Sequence, residues 1–243
     1  MEETTDNHTK VNWLNVCIYY ALACSFSWPF FWWRDMDPES WKAWQVPQFI
    51  KNLSYMWGPG FAGIIVLILF RKSHRRTITF FGTSVLKSLV FYLLPIIALS
   101  VFAIKGEEAY VIPVLGFMMI LGEELGWRGF LQDALRPLTA WKRYLLIGVL
   151  WELWHFTNRM QDGFVLSTFI KVGAFMLVTI LLSFILGRLT DRTRSLVVAV
   201  TLHAWVDILF EFQSTATFII FGLSIPFWAL MLWYWNKPLL NKQ

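Results

Sequence analysis

Residues 110–132 read YVIPVLGFMMILGEELGWRGFLQ. The stretch is apolar as far as Leu121 and then meets Glu123 and Glu124 while still inside what reads as a helix. A soluble core helix of this kind would be exceptional, because adjacent carboxylates are almost never buried without a reason. A membrane helix that carries them into a protein interior is the simpler reading, and ionisable groups placed there mark function. The rest of the chain agrees. Of its 243 residues, 57% are hydrophobic and only 15% charged, with 15 Trp and 22 Phe. Soluble domains run at roughly 45–50% apolar and 25% charged, and aromatic residues collect at membrane interfaces. The sequence therefore predicts an all-α fold, a polytopic membrane helix bundle of about eight transmembrane helices, sited as a multi-pass protein in the cell membrane.

The apolar segments are Trp13–Trp33, Ser54–Phe70, Leu86–Ile104, a fourth from near Tyr110, Tyr144–Phe156, Phe164–Leu186, Ser195–Phe212 and Thr215–Trp235. The fourth and fifth fall short of a full apolar span, and polar residues fill the missing length. If the segments alternate, six basic residues lie on one side (Arg34, Lys42, Lys51, Lys105, Arg159 and Lys171), leaving fifteen of the 21 on the other with both termini. The positive-inside rule then puts the N- and C-termini in the cytoplasm. The net charge of +5 reflects this bias, and no stretch forms the basic, aromatic-bearing soluble face that nucleic acid would need. The polar, acidic residues 1–10 make a poor signal-peptide start, so the first apolar segment reads as a retained helix. Cys17 and Cys24, seven residues apart on one helix, are about 10.5 Å apart along its axis, too far for a disulfide; both read as packing residues.

No repeat or second domain appears, so residues 1–243 form a single transmembrane domain. Arg34–Lys51, with Trp41 and Trp44, reads as an interfacial amphipathic segment. Gly58-Pro59-Gly60 with Ala62 and Gly63 breaks and thins the second helix for close packing.

Three segments hold the ionisable groups. Glu124 and Arg128 stand at i and i+4 and can pair along one face. Glu123 is rotated about 100° from that face and lacks this partner, which suits a general base. His203 and Asp207 are again i and i+4, so Asp207 can orient the ring or share its proton. His155 faces with Trp151 and Glu152. Counted from the cytoplasmic end, His203, Glu123 and His155 lie roughly 12–17 Å deep, a common layer expected to open towards the cytoplasm. His8 and His74, in the polar tail and a basic loop, are excluded.

Glu123-Glu124-x-x-x-Arg128, Trp151-x-x-x-His155 and His203-x-x-x-Asp207 resemble, in order and spacing, the three motifs of the CPBP family. That family comprises the type II CAAX prenyl proteases and the bacterial Abi, or bacteriocin-processing and immunity, proteins. The resemblance covers about residues 110–210. It implies an intramembrane glutamic endopeptidase in which Glu123 activates water, His155 assists, His203 and position 207 stabilise the oxyanion, and Glu124 and Arg128 support the site. Two departures are visible. Position 151 is Trp where Phe is frequent, and 207 is Asp where Asn is common. An ionised Asp cannot donate to an oxyanion, so Asp207 must be protonated or act through His203. Glu152 is an extra carboxylate, either a salt-bridge partner or a modulator of His155. The expected partners are a membrane-associated peptide or lipidated protein substrate and the lipid bilayer. No cofactor is expected. The rival readings are zinc held by Glu123, His155, His203 and Asp207, an ion or proton relay, and a non-catalytic immunity or scaffold protein.

Overall fold

The apolar segments become helices, the second of them broken in two. The computed structural model describes residues 10–71, 76–102, 108–159, 163 and 165–236. The expectations for His8, for residues 72–75 with His74, and for Lys105, Phe164, Lys237 and Lys242 lie outside these. The helices are α1 (Trp13–Met36), α2 (Pro38–Ala43), α3 (Gln48–Met56), α4 (Gly58–Leu69), α5 (Val85–Phe102), α6 (Glu108–Gly126), α7 (Gln132–Ala134), α8 (Ala140–Trp154), α9 (Phe156–Arg159), α10 (Leu166–Thr193), α11 (Leu196–Glu211) and α12 (Thr215–Trp233). A π-helical turn, Trp127–Leu131, joins α6 to α7 without a break. Among the described residues the β-pairing is a single bridge, Thr79 with Ser195.

The expected break in the second segment falls at Trp57, where α3 and α4 meet at 54°. Pro59 has no N–H to give to the carbonyl four residues back. That carbonyl, of Tyr55, instead accepts the Ser27 hydroxyl of α1 at 2.6 Å. In an apolar surrounding the orphaned acceptor needs such a partner, so the kink also fastens α1 to α3. The glycines expected to thin this helix do so against α6. A Cβ on Gly60 would stand 2.6 Å from the Gly122 carbonyl, and one on Gly126 2.4 Å from that of Pro59. Backbone thus touches backbone directly beside Glu123 and Glu124. Gly126→Val is expected to destabilise the protein at the upper end of the roughly 1–3 kcal/mol typical of overpacking, because backbone cannot swing aside. Thermal unfolding in detergent measures it; an unchanged midpoint would mean that the α4–α6 contact does not hold the bundle.

The Arg34–Lys51 stretch folds as the end of α1, α2 and the start of α3, with Trp33, Trp41 and Trp44 clustered at 5.1–5.4 Å between ring centroids. Buried Lys51 donates to the carbonyls of Trp41 at 2.7 Å and Lys42 at 3.3 Å. Cys24 is buried as expected of a packing residue, whereas Cys17 is exposed; both thiols are free.

Among the described residues four helices are long and apolar enough to cross a membrane, α1, α5, α10 and α12, or five if the bent α3–α4 pair counts as one. The expected eight are not reached on this measure. Helices α8 and α11 have 15 and 16 residues, and α6, α8 and α11 are the three that bear the polar residues. Ten of the α11 side chains are buried, so this helix is wrapped by protein.

Candidate active site

The polar groups of α6, α8 and α11 meet in one buried cluster. Consecutive Glu123 and Glu124 diverge as helix rotation requires. Glu124 Oε1 is 3.1 Å from Arg128 Nη1, the expected i,i+4 pair, with both side chains wholly buried. The same oxygen is 2.8 Å from His203 Nδ1 on α11. Glu123 turns towards α8 and accepts the Trp151 indole N–H at 2.7 Å. Trp151 is central: the Arg128 guanidinium lies over its ring at 4.7 Å, and the His203 ring meets it edge-on at 4.8 Å. Five side chains, from α6, the π-helical turn, α8 and α11, therefore fix one another. The π-helical turn begins at Trp127 and contains Arg128, and such turns recur where a helix must re-aim side chains at a functional site.

His155 lies just past the last turn of α8, as its C-cap, not within a continuing helix. Its Nδ1 is 3.1 Å from the Trp151 carbonyl. A carbonyl can only accept, so Nδ1 carries the hydrogen and Nε2 of the neutral ring is the acceptor. The ring also packs edge-on to Trp154, at 4.6 Å. Glu152 pairs with Arg159 at 3.1 Å.

Glu123, His155, His203 and Asp207 line one cavity of about 380 Å³. Glu124, Arg128 and Glu152 do not line it. Two expectations need correction. His203 turns Nδ1 to Glu124, not to Asp207 on its own helix, because α6 packs against that edge of the ring. Glu124 consequently does more than support Arg128; it orients a cavity-lining histidine. The cavity's lining also includes Arg34 at the end of α1, Asn52 on α3, Asn158 and Arg159 on α9, and Glu211 at the end of α11. Neither the indole N–H of Trp151 nor Arg159 was given a role from the sequence. The signals were present: an indole one turn before His155, and an arginine one turn after it. Among the described residues, no three of His, Cys, Asp and Glu come together closely enough to hold a metal ion.

Apolar helices around an ionisable cluster at the base of an internal cavity define a multi-pass membrane protein. Residues 105–209, the stretch that contains the whole cluster, match the family described as type II CAAX prenyl endopeptidase Rce1-like. A 66-residue stretch is 38% identical to CAAX prenyl protease 2 of Methanococcus maripaludis, covering 24% of this chain and 24% of that protein. The CPBP, or CAAX protease, resemblance drawn from the three motifs is thereby borne out for this segment.

Proposed function

We propose that this protein is an intramembrane endopeptidase that hydrolyses a peptide bond in a membrane-associated or lipidated polypeptide, with Glu123 as the base. The observation that carries this reading is the meeting of Glu123, His155, His203 and Asp207 on one cavity, with Glu123 held in place by a neutral N–H donor. The likeness to CAAX proteases across residues 105–209 supports it. In this reading α6, α8 and α11 also cross the bilayer as inner helices, completing eight spans with both termini cytoplasmic.

The chemistry follows from the donors and acceptors. A water in the cavity gives one proton to the Glu123 carboxylate while the His155 Nε2 lone pair accepts a hydrogen bond from its other O–H and orients it. The water oxygen bonds to the scissile carbonyl carbon, and the carbonyl oxygen becomes an oxyanion. His203 faces it: a ring protonated on both nitrogens has its charge balanced by Glu124 at Nδ1 and donates Nε2–H to the oxyanion. Asp207 serves through His203. The protonated Glu123 then delivers its proton to the amide nitrogen, the C–N bond breaks, and an acid and an amine leave.

The test is cleavage of a peptide library, including prenylated peptides, by the purified protein in detergent, with and without a chelator. Chelator-resistant cleavage at a defined bond is expected. Loss on chelation with recovery on added zinc would replace this mechanism by a zinc-dependent one. Full biological function retained in cells by Glu123→Gln would replace it by a binding or immunity role.

A further inference from the structure

Among the described residues two arginines line the cavity, Arg34 and Arg159, and they differ in what their donors already do. Arg34 spends its fork on its own surroundings. Its Nε and Nη2 donate to the two carboxylate oxygens of Asp35, at 2.7 and 3.1 Å, and Nη2 donates also to the Asn158 side chain. The Arg159 guanidinium, among the described residues, donates through Nε alone, to Glu152 Oε1 at 3.1 Å. The Glu152 side chain is wholly buried and does not line the cavity, so the Nε edge of Arg159 is turned into the wall. One face of the guanidinium is also taken: its carbon lies 3.7 Å from the centre of the Phe175 ring on α10, a cation–π contact. Held from behind and stacked on one side, the head group keeps its Nη1–Nη2 edge for the cavity that Arg159 lines.

We infer that Arg159 is a substrate-binding residue: its Nη1–Nη2 edge donates to a main-chain oxygen of the bound polypeptide, a peptide carbonyl or the terminal carboxylate. The inference rests on the peptidase reading proposed above. Its register follows from the helix. The Arg159 backbone N–H meets the His155 carbonyl at 3.1 Å, so the two residues are one turn apart, about 5.4 Å of rise. An extended chain rises about 3.3 Å per residue. Arg159 therefore stands roughly two residues along the substrate from a bond held beside His155. The carboxylate of Glu152 already matches the charge of Arg159, so a neutral carbonyl suffices as the new partner. The planar fork then supplies two parallel donors that a lysine could not. Glu152, the carboxylate that the second motif does not require, acts behind Arg159 as its brace.

Removing Arg159 alone would strand the buried carboxylate of Glu152 and endanger the fold. The test therefore compares Glu152→Gln with the double variant Glu152→Gln, Arg159→Gln, which differ only in the edge facing the cavity. Dye-labelled members of the peptide library, prenylated ones included, are titrated onto both variants in a Glu123→Gln background, where binding is read without turnover. Loss of Arg159 is expected to weaken Kd by about tenfold or more, the span of a hydrogen bond to a charged group. With Glu123 restored, KM should rise by a similar factor while kcat stays within about threefold, the pattern of a contact made equally in ground and transition states. Equal Kd values would overturn the inference, and so would a fall in kcat at constant KM, which would make Arg159 a support for His155. A second arm alters the peptide. Replacing the amide two residues from the cleaved bond by an ester weakens its carbonyl as an acceptor, and amidating the carboxy terminus removes the carboxylate. One of the two changes should weaken binding to Glu152→Gln and leave binding to the double variant unaltered, which identifies the oxygen; sensitivity to neither would overturn the inference. Binding of no library peptide would remove it together with the peptidase reading. Arg159-dependent binding without hydrolysis by the wild-type protein would remove only the catalysis.

Discussion

Glu123→Gln is expected to lower kcat for peptide hydrolysis by about 10³-fold, within the range of a lost general base, while KM and the unfolding midpoint stay close to wild type. Gln keeps the shape of Glu, and its amide oxygen still accepts the Trp151 N–H that Glu123 accepts at 2.7 Å. The substitution removes the ability to take a proton from water and little else, so the loss should fall on the chemical step and not on ground-state binding. Glu124→Gln provides the contrast. It weakens two charge-assisted contacts at once, to Arg128 and to His203, and should lower stability together with activity. A tenfold or smaller loss in Glu123→Gln would mean that water is activated by another group, and Asp207, on the same cavity, would be the next to test.

The helices were legible because long apolar runs dominate everything around them. Leu86–Ile104 was expected and Val85–Phe102 is found; Ser195–Phe212 was expected and Leu196–Glu211 is found. The break at Trp57 was legible because Pro59 must leave a carbonyl unserved wherever the helix goes. The Glu124–Arg128 pair was legible too, since i,i+4 neighbours meet on any helix. Contacts between helices were not, because they depend on rotation and register that no single segment records. Thus His203 was matched with Asp207, its neighbour on α11, when the nearer carboxylate is Glu124 across the interface at 2.8 Å. Trp151 was read as the aromatic position of the second motif, Trp where Phe is frequent, yet its one polar atom is the donor that fixes Glu123. Counting residues from a helix end gave a shared depth for the site and could not tell that Trp127, Phe130 and Leu131, just past Glu124, are fully buried, because tertiary packing sets that.

Arg128→Met is expected to be the most destabilising single change in the cluster, by about 3–5 kcal/mol, the cost of leaving one member of a buried ion pair uncompensated. Arg128 is wholly buried, its guanidinium within 3.1 Å of Glu124 and stacked over Trp151 at 4.7 Å. Met fills similar volume, so the loss is of charge and donors, not of packing. Arg128→Lys should recover only part of it, because an ammonium neither stacks on an indole nor presents a planar fork. The informative variant is the double one, Glu124→Gln with Arg128→Met. Removing both charges together avoids the uncompensated carboxylate, so the double variant should unfold at a higher temperature than Arg128→Met alone, a coupling that marks the two residues as one unit. Hydrolysis should not return with the stability. Glu124 also receives the His203 Nδ1–H, and without that carboxylate nothing balances a charged ring facing the oxyanion. Recovery of both properties would reduce Glu124 to a structural counter-ion and leave His203 to be oriented by Asp207; recovery of stability alone would show that one carboxylate oxygen serves the fold through Arg128 and the reaction through His203.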